Sequence, residues 1–398
     1  MPLRRVLFWV HLAAGVTCGL VIFIMSFTGA LLALQPQILL WAERELRTVQ
    51  PPSVETPWLG PDVLIARARE RHPDMTVTGL TREHDRTLAA SVTLTKSAGT
   101  TPGGPPAPQT TAWLNPYTGA EIAQQDPATG WRRFFRTATD WHRWLGVSGD
   151  RRTAARWITG VSNAAFLVLA VTGMYIWIPR LWSRAAIRAV AWFRPGLAGK
   201  ARDFNWHNVI GVWSAAVLVV LTFTGMCISF PKTYDVISAV TGIERPPAPA
   251  APNAGLQRSA RDTGFDRLWT LAESQRPTWR SIAMRLPQRE GQPVTFTIND
   301  RERLNAMARS TLTVNPTDGQ VIRWEPYEQL ATGQRLRTWM RFGHTGELWG
   351  LAGQIIAGVA SAGGCVLVWT GIALAWRRLT AWLARRRRDE RVPIGRAA

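Results

Sequence analysis

Polar and apolar residues are segregated along this chain into long blocks. Four apolar runs, at about 8–34, 157–178, 206–230 and 348–376, contain no Asp, Glu, Lys or Arg. A helix needs about 20 apolar residues to cross a hydrocarbon core, so the pattern predicts four transmembrane helices. The first run is too long for the apolar part of a signal peptide and has no A-x-A site close behind it, which predicts a retained helix. The two long mixed segments, 42–140 and 254–340, carry a different period. In each, a short helical stretch, a proline break and a strand follow one another: DVLIARARERHPDMTVTGL (62–80) and DRLWTLAESQRPTWRSIAM (266–284). AWLNPYTGAEI (112–122) and LTVNPTDGQVI (312–322) each read as strand, turn, strand. The expected fold class is an α-helical membrane protein carrying two small α+β domains, each a helix packed on an antiparallel sheet. TTPGGPPAPQTT (100–111) and RPPAPAAPN (245–253) read as linkers.

These parallels make the chain an internal duplication. His11 is followed by FTGA (27–30), and His207 by FTGM (223–226). Both histidines stand 18 residues before their glycine, five whole helical turns, so each His and Gly share a face about 27 Å apart. DWHRWLGV (140–147) precedes the second run and FGHTGELWG (342–350) the fourth. Those runs then carry VTGMYIW (171–177) and WTGIALAW (369–376). The fourth run begins about one turn closer to its histidine than the second.

Charge sets the expected orientation. Arg4 and Arg5 precede the first run, the 180–202 loop holds Arg180, Arg184, Arg188, Arg194, Lys200 and Arg202, and the 377–398 tail holds Arg377, Arg378 and RRRR at 385–388. Short basic flanks remain cytoplasmic, which predicts cytoplasmic termini and places the two long segments outside. The formal charge of +20 then reflects flanks facing anionic lipid, and no nucleic-acid partner is expected. Residues 180–193 are predicted to form an amphipathic helix on that lipid surface. Cys18, Cys227 and Cys365 all lie in apolar runs, and no C-x-x-C-H or C-x-x-C exists. Covalent c-type haem and a cysteine zinc site are excluded.

Four of the six histidines, His11, His142, His207 and His344, occupy matched places in the repeat. Spans one and three run outward, which puts His11 and His207 at the cytoplasmic level. His142 and His344 precede inward spans, which puts them at the outer level. Two facing imidazoles are what a six-coordinate b-type haem requires, so the pattern predicts an inner and an outer haem. Gly173 and Gly371 fall level with the inner pair, Gly29 and Gly225 with the outer pair, where glycine would let a flat macrocycle approach. Singly, a Thr-Gly pair is a helix-packing contact, and an interfacial histidine is a hydrogen-bonding group. Metal-ion transport would place carboxylates beside the histidines, and the spans carry none. Four histidines at matched levels favour haem ligation, because intramembrane ionisable residues mark function. Met25, Met174 and Met226 read as packing residues, and His72 and His84 as solvated surface residues. Most of the 21 tryptophans read as interfacial anchors, Trp141, Trp144 and Trp339 near the outer histidines included.

FTGALLAL, WHRWLGV, VTGMYIWIPR, FNWHNVIGVW, FGHTGELWG and the NPYTGAEI and NPTDGQVI units resemble, in order and over nearly the whole chain, the PepSY-associated transmembrane proteins of the bacterial inner membrane. The resemblance implies two PepSY-type periplasmic domains. One branch of that family comprises ferric-siderophore reductases with two haem b groups in a four-helix membrane domain. By that likeness His11 and His207 match the inner haem positions, and His142 and His344 the outer ones. The implied activity is electron transfer to a ferric siderophore or other iron(III) chelate. The longer gap after His142 leaves open whether the outer iron keeps a free site. No G-x-G-x-x-G opens a helix after a strand, so the expected electron donor is a quinol or a separate cytoplasmic reductase. Two rivals are a cytochrome b subunit for another periplasmic acceptor and a haem-free binding or regulatory protein.

Overall fold

The computed structural model describes residues 2–96, 109–125, 130–179, 183–230, 232–243, 264–289, 291–300 and 307–389. Positions 100–108 of the first expected linker, all of the 245–253 linker, Arg180 and 390–398 of the tail lie outside the described residues. In chain order the helices are α1 (Pro2–Leu32), α2 (Gln35–Ala42), α3 (Arg44–Arg47), α4 (Pro61–Arg71), α5 (Gly130–Trp144), α6 (Arg151–Trp177), α7 (Arg184–Ala191), α8 (Gly199–Ser229), α9 (Thr233–Thr241), α10 (Phe265–Gln275), α11 (Thr332–Thr345) and α12 (Gly350–Asp389). The strands are β1 (Met75–Glu83), β2 (Ala90–Lys96), β3 (Gln109–Leu114), β4 (Glu121–Gln125), β5 (Ser281–Arg285), β6 (Val294–Asn299), β7 (Arg309–Val314) and β8 (Val321–Glu325). The chain divides into two compact units. One comprises Met1–Leu34, Arg136–Val240 and Met340–Ala398, the other Gln35–Phe135 and Thr241–Trp339.

The first unit is built on α1, α6, α8 and α12, four helices long and apolar enough to cross a membrane. Leu20, Val359 and Trp369 are 70%, 68% and 69% exposed, so apolar side chains cover the outer face as well as the seams. That is the surface a lipid-immersed bundle presents. Inside, small residues let the helices approach, as in other membrane bundles. A Cβ at Gly364 would lie 2.7 Å from Ser26 Oγ, and one at Gly160 2.5 Å from the Phe230 ring. The helices extend beyond their apolar runs. α6 begins at Arg151, α8 at Gly199, and α12 continues through the basic stretch to Asp389. Hydropathy marks the immersed part of a helix, whereas the backbone continues until a breaker stops it, and none stands between 376 and 389.

The expected surface helix is α7, and it is tied to the bundle. The Asn205 amide donates to the carbonyls of Ala189 (3.3 Å) and Trp192 (3.1 Å), and its carbonyl accepts from Arg194 N (3.1 Å). The indole N–H groups of Trp177 and Trp213 donate to Val190 O and Ala191 O.

The second unit joins the two α+β halves into one antiparallel sheet of order β4-β3-β2-β1-β5-β6-β7-β8. The junction is β1 against β5, from Gly79↔Arg285 to Glu83↔Ser281. Each N-P motif forms the same turn. Asn115 and Asn315 side chains accept from Tyr117 N (2.9 Å) and Thr317 N (3.1 Å), and Gly119 and Gly319 take φ of 72° and 76°, which only glycine adopts freely. One hydrophobic core runs through both halves, with Leu64, Leu80, Val92, Leu268, Trp269 and Phe296 among its buried members. α4 and α10 cap each other. Asp62 N donates to Asp266 Oδ1 (2.8 Å), and Phe265 N and Asp266 N donate to the Asp62 carboxylate (3.0 and 3.1 Å). Gly60 and Gly264 make room, since a Cβ there would sit 2.2 Å and 2.8 Å from those carboxylates. Each half therefore satisfies orphan N–H groups of the other. Asp62→Ala is expected to cost about 1 kcal/mol, measured as a lowered unfolding midpoint of the sheet unit in the full chain.

Candidate functional site: two histidine pairs

The duplication brings the four matched histidines into two pairs within the helical unit. The ring centres of His11 on α1 and His207 on α8 are 6.3 Å apart, and those of His142 on α5 and His344 on α11 are 6.2 Å apart. Both pairs are half-buried. α5 and α11 are short helices ahead of α6 and α12, and neither is visible as an apolar run. The unequal gaps after His142 and His344 do not unmatch the pairs. The extra turn is absorbed between α5 and α6, where Leu145, Gly146 and Gly149 take φ of 53°, 75° and 61°. The left-handed Leu145 costs about 1 kcal/mol.

Each imidazole is held by the Thr-Gly pair of a neighbouring helix. Nδ1 of His11 lies 3.0 Å from Thr172 Oγ1, of His207 2.9 Å from Thr370 Oγ1, and of His142 2.9 Å from Thr28 Oγ1. His344 Nδ1 lies 2.8 Å from Leu221 O and 3.3 Å from Thr224 Oγ1. The threonine hydroxyls already donate their one proton down their own helices, to Val168 O, Val366 O, Ile24 O and Val220 O at 2.6–2.7 Å. Toward the imidazole they can only accept, and a carbonyl can only accept. Nδ1 therefore carries the proton in all four rings, and Nε2 is left with a free lone pair. No hydrogen bond reaches any of the four Nε2 atoms among the described residues. Around His142 and His344, loss of hydration among the packed helices pushes both imidazoles below their ordinary range, and the facing His344 ring adds to the effect at His142. A neutral ring is the form that ligates metal.

The glycines, expected to admit a flat macrocycle, make room for imidazole edges. A Cβ at Gly173 would lie 3.3 Å from His11 Cε1, at Gly371 3.3 Å from His207 Cε1, at Gly29 3.4 Å from His142 Cε1, and at Gly225 2.9 Å from His344 Cε1. Threonine and glycine act as one unit, one residue taking the ring nitrogen and the next giving the ring space. The sequence shows the Thr-Gly pairs and their levels, but not that each threonine accepts from an imidazole; the Thr before every one of the four glycines is the signal for it.

Among the described residues no three or more His, Cys, Asp or Glu side chains gather as a metal site. Two neutral nitrogens with no carboxylate or thiolate beside them suit the iron of a haem, whose ring would supply the remaining nitrogens, better than a bare ion. Imidazole pairs with ring centres 6.3 and 6.2 Å apart and open Nε2 atoms fit that group, and His11 with His207 and His142 with His344 would hold it.

The His11–His207 level is braced by Asp203, a buried carboxylate one turn before His207, which pairs with Arg202 (2.8 Å) and with Arg377 of α12 (3.3 Å). Arg378 lies over Phe8 and Trp9. Outside the pairs, His72 is not solvated as expected. Its Nε2 is 2.9 Å from Glu121 Oε2, and both side chains are largely buried, because α4 ends against the β4 edge. His84 is exposed and meets the Trp279 ring at 4.7 Å. The sheet unit also holds a cavity of about 230 Å³ lined by Arg47, Glu83, Trp113 and Arg132 among others. Glu43 neutralises it, bonded to Arg47 and Arg132. Burial raises the Glu43 carboxyl, but the Arg132 and Arg47 hydrogen bonds outweigh it and hold the group below the usual range.

A duplicated four-helix bundle with an imidazole pair at each end defines a membrane protein with two matched histidine-pair sites. The chain matches the PepSY-associated TM region over residues 8–378 and belongs to that family. No curated protein matches it. Gly225→Val would drive a branched side chain into His344, with an expected cost of about 1–3 kcal/mol in thermal unfolding of the detergent-solubilised chain. Gly29→Ala, with the most room of the four, should cost less. Because the folded Glu43 carboxyl titrates below its unfolded value, its stabilisation is complete above the ordinary carboxylate range and lost as pH falls through the folded value. Glu43→Gln should remove that acid-side loss and cost about 3 kcal/mol at neutral pH, measured by pH-dependent melting.

Proposed function

We propose that this protein is a bacterial inner-membrane reductase binding two haem b groups, which passes electrons to a periplasmic ferric siderophore or related iron(III) chelate and releases iron(II) for uptake. The reading rests on the two histidine pairs at 6.3 and 6.2 Å, each ring protonated on Nδ1 and open on Nε2. His11 and His207 would hold the inner haem, His142 and His344 the outer one. Haem supplies one-electron carriage through a bilayer that no free electron or ion crosses. The residues of this chain do the rest. The histidines fix the iron, the Thr-Gly pairs orient the histidines, and apolar helix faces exclude water. One electron from a quinol or a cytoplasmic reductase converts iron(III) to iron(II), which hard oxygen donors hold less tightly. The choice of a ferric chelate as acceptor is supported by the resemblance to the siderophore-reductase branch. The basic flanks support cytoplasmic termini and a periplasmic location for the sheet unit.

A reduced-minus-oxidised spectrum and a haem count on the purified chain test the cofactor. Two haem b per chain are expected, and His207→Ala should remove one signal while sparing the other. A chain without haem b bands leaves only the haem-free binding or regulatory reading. Reoxidation of the reduced protein by a ferric siderophore, with iron(II) captured by a chromogenic chelator, tests the acceptor. Reoxidation only by a copper or sulfur compound would make the protein a cytochrome b subunit for that acceptor. Thr172→Val and Thr370→Val should each shift the inner haem potential, and Thr→Ser should restore it, because the hydroxyl sets the ligand's basicity.

A further inference from the structure

Four arginines converge beside the His142–His344 pair. Arg143 directly follows His142 on α5, and Arg341 stands one turn before His344 on α11. The Arg143 and Arg152 guanidinium groups lie over the ring of Trp144, at 4.5 and 4.3 Å from its centre. Arg156 stands one turn beyond Arg152 on α6 and donates through Nε to Ser229 O (3.2 Å). All four are exposed. Among the described residues one carboxylate, Asp140, answers them by pairing with Arg152 at 3.3 Å. Thr159 Oγ1 of α6 donates to Arg143 O at 3.1 Å, which holds the end of α5 against the first turns of α6 where Arg152 and Arg156 stand.

Their position is informative. Basic residues close to membrane spans accumulate on the cytoplasmic side, so a cluster at the opposite end from the basic termini runs against that bias. It also repels itself. A tight, exposed and largely uncompensated group of guanidiniums is a recognition site for anions, since each presents a rigid fork matched to carboxylate.

We infer that the arginine cluster of Arg143, Arg152, Arg156 and Arg341 is the docking site of the electron acceptor, and that the acceptor is an anionic, carboxylate-bearing iron(III) chelate rather than a neutral one. The inference rests on the reductase reading for the word acceptor, but the binding it asserts does not require electron transfer. Field focusing by like charges beside the outer pair would raise the local concentration of such an anion where its iron can receive the electron. Anionic lipid headgroups carry related chemistry and are the competing occupant.

The test separates binding from redox chemistry by using gallium(III), which has the charge of iron(III) but accepts no single electron. The full chain is placed in nanodiscs of neutral lipid. Binding of anionic gallium(III)–EDTA and of neutral gallium(III) tris(acetohydroxamate) is followed by equilibrium dialysis. The anion should bind about tenfold more tightly than the neutral chelate, and its affinity should fall as salt rises. Arg143→Gln/Arg341→Gln should abolish the preference, and Arg143→Lys/Arg341→Lys should retain most of it, which shows that charge rather than folding is read out. Equal binding of the two chelates, or a preference that survives the glutamine pair, overturns the inference. Anion binding in neutral nanodiscs that disappears in anionic ones, while both arginines are required for lipid retention, assigns the cluster to headgroups and also overturns it. The haem spectrum of the same samples reports on the reductase reading independently.

Discussion

The arrangement of the helical unit depends on one interaction, repeated four times: a histidine Nδ1–H donated across a helix seam to a threonine hydroxyl or, at His344, first to the Leu221 carbonyl. In an apolar seam an imidazole cannot leave its N–H unsatisfied without a penalty of about 1–3 kcal/mol. Its partner cannot drift either, because the threonine is locked by its own bond to the preceding turn. Each contact therefore fixes a ring's height, its rotation and its tautomer together. It also fixes helix register, since His11 reaches α6 and His142 reaches α1. The glycine after each threonine completes the contact by removing the one carbon that would prevent it.

The duplication explains why the pairs form. A single half of the chain carries two histidines at opposite ends of its helices, His11 on α1 and His142 against Thr28 and Gly29 at the far end of the same helix. Only the second half brings His207 to His11 and His344 to His142. The sheet unit obeys the same logic. Neither half completes its helix cap or its central strand pairing alone, because Asp62 serves α10, Asp266 serves α4, and β1 pairs with β5. Two-fold sharing in both units makes each half dependent on the other for its polar groups.

The symmetry is incomplete where the two levels differ. His11, His207 and His142 each rest on a threonine, whereas His344 is closer to a backbone carbonyl. The turn between α5 and α6 is longer than its counterpart and uses a left-handed leucine. The arginine cluster belongs to the His142–His344 level, while the other level is braced by the Asp203 ion pairs. A matched pair of sites thus sits in two different electrostatic settings.

By itself the sequence determined four apolar helices, the duplication, the helix–strand–turn order of the sheet unit, and the level of each histidine and glycine. These follow from composition and period, which act locally: an uncharged run must leave water, an N-P-x-x-G stretch must turn, and eighteen residues of helix return to the same face. Only the tertiary structure decided what touches what. It joined the two α+β halves through β1 and β5, buried His72 against Glu121, set α5 and α11 ahead of their spans, and gave the threonines their role. Nothing local specifies those contacts, because a hydroxyl on an apolar helix is satisfied by its own backbone until packing brings a second helix carrying a proton to be accepted.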